Sequence, residues 1–265
     1  MSVVELIVAL TLSAVAATAA YSVLEHSRRA FLNQAVRMEL DQEVRAAVSI
    51  VAGELRPLDS SDPDGSDIVD MSPASLTYRA TRSVRFLCLP ADTVTMQVTL
   101  AESPRFGDAA LSTAPRALLL YTAGDRWLRV TAVGRLEAAV CWGSQPGVRL
   151  RVADVSPSDL TQVEGGAPLL SQETLRIQPY RDGDGVYWLG ARAPSEGGGW
   201  SDIQPFAGPV AAGGLELEYF DAAGGTASVP ERVSRIGLAV TGRATGGLPQ
   251  TLRLSTQVAL RNSRK

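Results

Sequence analysis

The first 24 residues, MSVVELIVALTLSAVAATAAYSVL, are apolar or small apart from one carboxylate, Glu5. A run of that length and composition predicts a membrane-spanning helix. An ionisable group inside it is costly enough to predict a role and a partner. The nearest partner is the ammonium of a mature N-terminus at Met1, one helical turn away on the same chain or on a neighbour. The helical pattern continues beyond the run. From Glu25 the chain turns polar, and Leu40, Val44, Ala47, Val48, Val51 and Leu55 recur at helical spacing as one apolar stripe. No proline intervenes before Pro57, so residues 2–55 are expected to form one helix about 80 Å long. Its second half needs a surface to pack on, expected to be a sheet of the same chain. Its first half has no such cover and needs a bilayer or a bundle of its own kind.

Two other readings of the run are weaker. Ala17-Thr18-Ala19 resembles a signal-peptide cleavage site, but an acid stands where a positive n-region belongs and the helical pattern runs past the site. A simple single-span anchor, with Glu5 reaching to the interface, remains as an alternative. His26-Ser27-Arg28-Arg29 follows the run as a small basic cluster, fit to sit at lipid headgroups or against acids of neighbouring helices.

The remainder predicts β structure. Glycine is abundant, at 24 residues, and short strand-like runs separated by turn signals fill the chain from residue 75 onward. Among them are Leu76–Thr81, Val84–Leu89, Trp127–Val133, Leu136–Trp142, Leu215–Phe220, Arg235–Thr241 and Thr251–Leu260. Alternation in Leu215-Glu-Leu-Glu-Tyr-Phe predicts an antiparallel sheet with one wet face. Arg181-Asp182-Gly183-Asp184-Gly185 reads as a hairpin turn. The expected division is residues 1–24 as an apolar transmembrane or filament-core helix, 25–56 as its amphipathic continuation, and 57–265 as a β-rich globular head.

Cys88 and Cys141 both lie in strand-like runs. A bridge between them would close a loop of about 50 residues and suits a body outside the cytoplasm. Two buried free thiols are the alternative. With His26 as the sole histidine, serine and cysteine triads and a closed zinc site are not expected within one chain. No phosphate loop, nucleophile elbow or dinucleotide fingerprint is present, and Glu216 and Glu218 read as a solvent-facing row. Neither enzymatic activity nor a cofactor is expected. Asp62, Asp64 and Asp67 form a faint echo of a calcium loop, but no bidentate glutamate follows at the required distance, so an ordinary solvated turn is favoured. Arg79, Arg82 and Arg85 are close in sequence, yet a net charge of −3 disfavours nucleic acid as a partner.

Ser2-Val3-Val4-Glu5-Leu6-Ile7-Val8-Ala9-Leu10-Thr11-Leu12 resembles the processed N-terminus of a type IV pilin or pseudopilin. The segments Leu215–Gly224, Arg232–Arg243 and Val258–Asn262 are similar to the tail of PilW-type minor pilins and J-type pseudopilins. The resemblance implies an α+β fold, a pilin lollipop: a long N-terminal helix packed by its second half on a large antiparallel β-rich body. It implies a chain already cleaved by a prepilin peptidase and methylated at Met1, with Glu5 pairing to the Met1 ammonium of a neighbour. Leu6, Val8, Leu10, Leu12 and Val15 would pack the core of the filament. The implied function is a structural subunit of a pilus serving adhesion or motility. A pseudopilin of a type II secretion system and a membrane-anchored module that never polymerises are the alternatives. Implied partners are copies of the chain, other pilins and an inner-membrane assembly platform. Its location would be the inner membrane first, then an extracellular filament or a periplasmic pseudopilus.

Overall fold

Helix α1 runs from Val3 to Leu55 without interruption. It belongs to a computed structural model that describes residues 2–60, 66–104, 117–195, 199–244 and 250–261, the side chains of Glu5, Leu6 and Ala9 excepted. Absence of proline, and of glycine until Gly53, lets the backbone ladder continue for 53 residues. Along its last third, Leu40, Val44, Ala47, Val48, Val51, Ala52 and Leu55 are buried. From Val3 to Met38 the described large apolar side chains of α1, Val36 excepted, are exposed. Among the described residues no helix is long and apolar enough to cross a membrane.

Strands β1 (Ile68–Ser72) and β2 (Ser75–Phe86) form a hairpin. They are followed by β3 (Gln97–Ala101), β4 (Ala117–Tyr121), β5 (Trp127–Val140) and β6 (Pro146–Ala153). A single helical turn, α2 (Pro157–Leu160), is capped by the Ser156 hydroxyl accepting from Asp159 N. Then come β7 (Pro168–Arg181), β8 (Tyr187–Arg192), β9 (Gln204–Phe220), β10 (Arg235–Arg243) and β11 (Thr251–Ala259). All pair antiparallel in one sheet, ordered β11-β10-β9-β8-β7-β4-β5-β6-β3, with β2 pairing β7 and β1 added to β2.

The sheet encloses two cores. The first joins α1 to β1, β2 and β7–β11, through residues such as Leu55, Leu76, Tyr78, Leu175, Ile177, Leu189, Leu217 and Ile236. The second holds Leu87, Val98, Leu100, Leu118, Leu120, Val130, Leu150, Val152, Leu160 and Leu169, with no residue of α1. Strands β2, β7, β4, β5, β6 and β3 curl around it, and the Leu87–Leu100 bridge, with Cys88 N donating to Thr99 O at 2.9 Å, brings the end of β2 against β3. That curl buries apolar side chains on the inside and leaves few strand edges open.

The α+β class and the pilin lollipop implied by the N-terminal resemblance do not describe this chain. It is mostly one large antiparallel sheet of eleven strands, with 47% of residues in strand and 26% in helix. The physical reason lies in strand length and in the second core. Strands β5, β7 and β9 have 14, 14 and 17 residues. Strand β7 runs from the core that covers α1, through Leu175 and Ile177, to the second core at Leu169, and β5 serves that second core alone.

Candidate assembly surface

Residues 3–39 of α1 project from the β body. Val3 is 73% exposed, Leu12 65% and Val15 66%, and Ile7, Val8 and Leu10 are exposed as well. Isolated apolar side chains on a surface are ordinary, whereas a contiguous run calls for a partner surface. Of the residues expected to pack a filament core, Val8, Leu10, Leu12 and Val15 therefore stand uncovered in the single chain, and Leu6 lies outside the described side chains. The expected pair between Met1 and Glu5 also lies outside the described residues.

Beyond the apolar run, α1 carries charge in bands. Arg29 Nε donates to Glu25 at 2.8 Å and Arg45 Nε to Asp41 at 2.7 Å, both at i,i+4 spacing. Arg28, Arg37, Glu39 and Glu43 form no ion pair among the described residues. Partial burial, and then the nearby charge of Glu39, hold the Glu43 carboxyl above its ordinary value. His26 Nδ1 donates to the Ser22 carbonyl at 2.9 Å, a local bond within the helix.

A polar clamp fixes the body end of α1. Arg82 reaches from β2 to hold Glu54 with two nitrogens, at 3.1 and 3.0 Å, and donates to Glu173 of β7 at 3.2 Å. Tyr78 OH donates to the same Glu54 at 3.0 Å. Burial first, and then the Glu54 charge, push the Tyr78 phenol far above its ordinary range, so it stays a donor. Glu54 lies beside the apolar stripe, and nothing in the sequence pattern marks its partner, because Arg82 is 28 residues away.

Cys88 and Cys141 form a disulfide with Cα atoms 5.4 Å apart, joining the ends of β2 and β5. Gly147 passes directly beneath it: a Cβ there would lie 2.7 Å from Cys141 Sγ and 2.8 Å from Leu100 O.

The remaining candidates have local structural duties. Asp62 and Asp64 lie outside the described residues. Asp67 accepts from Asp59 N at 2.9 Å and from Gln172 Nε2 at 3.3 Å, and among the described residues no cluster of three metal-ligating side chains occurs. Arg79 donates to Ser66 O at 2.8 Å, Arg82 is held by the clamp and Arg85 is buried, so the three do not line up as an exposed basic stripe. Asp182 organises the β7–β8 turn, accepting from Trp188 Nε1 at 2.8 Å and from two backbone amides, and the Trp188 bond leads in lowering its carboxyl below the ordinary value. Glu216 pairs with Arg253 at 2.7 Å, and with Glu218, Ser255 and Gln257 they line a shallow groove of about 330 Å³. Trp200 sits against two guanidinium groups, Arg176 at 5.0 Å and Arg192 at 5.1 Å, a contact with no signal in the sequence pattern.

No known family model matches the chain, and no curated protein or solved structure matches it either.

Proposed function

We propose that this chain is a structural subunit of a type IV pilus-like extracellular filament, stored at the inner membrane through its N-terminal helix and then assembled. The observation that carries the reading is the exposed apolar stretch of α1, which the chain's own body does not cover. The pilin-like pattern around Glu5 supports it from the sequence. Function here is assembly: the apolar half of α1 moves from lipid into a bundle of like helices while the β body stays outside and presents its loops. Glu5 neutralises the Met1 ammonium of a neighbour and so specifies axial geometry, since an ion pair in a dry core contributes more to register than to net stability. Other pilins, an assembly platform and a prepilin peptidase are the partners this reading requires.

The test is electron microscopy of filaments sheared from the source cells, with mass spectrometry of their subunits. The expected result is this chain in the filament fraction with a methylated residue 1. Its confinement to the membrane fraction, with residue 1 unmodified, overturns the proposal.

A further inference from the structure

Tryptophan is highly buried on average, because its indole is the largest apolar body a side chain carries. Trp142 departs from that rule: it is 69% exposed, in the short turn that follows β5. The turn holds it there firmly. Gly143 and Ser144 both take left-handed backbone conformations, at φ +68° and +62°, which Ser144 adopts against the preference of a residue with a Cβ. Cys141 N donates to Gln145 O at 2.9 Å and closes the loop, and the disulfide fastens Cys141 to Cys88 at the end of β2. The indole reaches over a groove of about 500 Å³, and a Cβ on Gly165 would lie 3.6 Å from Trp142 Cη2. Leu87, Ala101, Pro146 and the disulfide form the apolar part of the groove, while Ser103 and Gln145 bring a hydroxyl and an amide to it. None of the lining residues is charged. Among the described residues the Ser103 hydroxyl, the Gln145 amide and the Trp142 N–H make no hydrogen bond.

We infer that this groove binds a neutral sugar ring, stacked on the Trp142 indole with its hydroxyls held by Gln145 and Ser103. A pyranose offers one face of C–H bonds and a rim of hydroxyls. The C–H face suits the negative face of an indole ring. The rim needs groups that both donate and accept, which an amide and a hydroxyl do. The uncharged lining gives an acidic or basic ligand nothing to pair with. An apolar side chain from another protein would fill the groove, but it would cover the amide, the hydroxyl and the indole N–H without replacing their bonds to water, which is costly. The volume lies within the range of small-ligand sites, which join an apolar lining to a few placed polar groups. Because the turn and the disulfide already fix Trp142, binding needs little ordering of the protein. The inference goes beyond the filament reading and does not depend on it, since the groove opens beside Leu87 of the second core, which no residue of α1 enters.

The test uses the full-length chain in micelles of a detergent without a sugar headgroup. Methyl β-glucoside, methyl β-galactoside and methyl N-acetyl-β-glucosaminide are titrated, and saturation-transfer NMR reads the bound sugar. The expected result is saturable transfer to at least one of the three, strongest on its ring C–H protons, with a Kd on the order of 1 mM. Trp142→Ala lowers the affinity about tenfold, Trp142→Phe restores most of it by keeping an aromatic face, and Gln145→Ala lowers it about threefold. Both side chains are exposed and the bond that closes the turn is a backbone one, so the variants keep the fold; circular dichroism and an intact Cys88–Cys141 disulfide verify this. Absence of saturable transfer to all three sugars, or equal affinity in Trp142→Ala, overturns the inference. N-acetylleucinamide is titrated alongside, and its saturable, Trp142-dependent binding without that of any sugar assigns the groove to an apolar side chain and also overturns it. Sugar binding by a chain absent from filaments leaves this site standing and the filament reading overturned. Filaments built of a chain that binds no sugar do the reverse.

Discussion

At the scale of single residues, two positions on and under α1 show how the helix is held and what it costs. Gly242 of β10 lies where the helix meets the sheet: a Cβ there would collide with Val44 Cγ2 and come within 2.8 Å of Leu40 Cδ1. Both neighbours are buried and cannot swing clear. Gly242→Ala is therefore expected to destabilise the body by about 1–3 kcal/mol, read as a lowered urea midpoint with an unchanged slope. An unchanged midpoint would mean that α1 and β10 separate easily. Glu43 acts through charge. Its carboxyl is held above the ordinary 4.5 by burial and by Glu39, so the folded chain binds a proton more readily than the unfolded one. This contribution favours folding fully below pH 4.5 and is lost as pH rises through the raised value. Glu43→Gln removes the carboxylate and is expected to stabilise the isolated chain at pH 7 by about 0.2–0.5 kcal/mol, solvent screening keeping the gain small. The gain should vanish at pH 3, and denaturant titrations at the two pH values check both statements.

At the scale of elements, the disulfide and the long strands set the shape of the body. The Cys88–Cys141 bridge spans 53 residues and ties the ends of β2 and β5 beside the second core. Replacing both cysteines by serine is expected to cost about 2–4 kcal/mol. Hydrogen exchange should show protection lost in β3, β5 and β6 but retained in β9–β11, which pack on α1. Uniform loss would show that the two cores unfold as one. These strands also show what the sequence could disclose. Leu76–Thr81 and Val84–Leu89 read as two strands with a turn between them, yet Ser75–Phe86 is one strand with an irregularity between Thr81 and Ser83. Arg82 and Ser83 break the apolar alternation. The break marks the place where the strand leaves one core, through Leu76, Tyr78 and Ala80, and heads for the other at Leu87. Trp127–Val133 and Leu136–Trp142 divided for a related reason: β5 is continuous but changes register between Val133 and Glu137, around Gly134 at φ +80°. Local alternation reports one face at a time and cannot show a strand serving two cores. The apolar stretch of α1, by contrast, was legible, because composition alone states that such a surface resists water.

At the scale of the whole molecule, the chain divides between a part that completes its own packing and a part that does not. The body buries α1 only from Leu40 onward, with Leu55 at the far end wholly enclosed and clamped by Arg82 through Glu54. Among the described side chains of residues 2–28 none contributes to either core. Removing residues 2–28 is therefore expected to leave the body folded, its stability within about 0.5 kcal/mol of the full chain, as for changes away from packed sites. The truncated protein should sediment as a monomer and keep the Cys88–Cys141 disulfide, because the surface that needs company is gone. The same deletion should abolish assembly in the source cells, since it removes the apolar run. A truncated chain that still enters filaments would place the subunit contact in the β body. The nine-residue edge of β11, paired only to β10, would then be the first surface to examine. A truncated chain that fails to fold would show instead that the exposed half of α1 steadies the buried half. The helical ladder makes that possible, but the burial pattern argues against it: every α1 side chain in the first core lies at or beyond Leu40, and helix stability in a folded body comes chiefly from such packing.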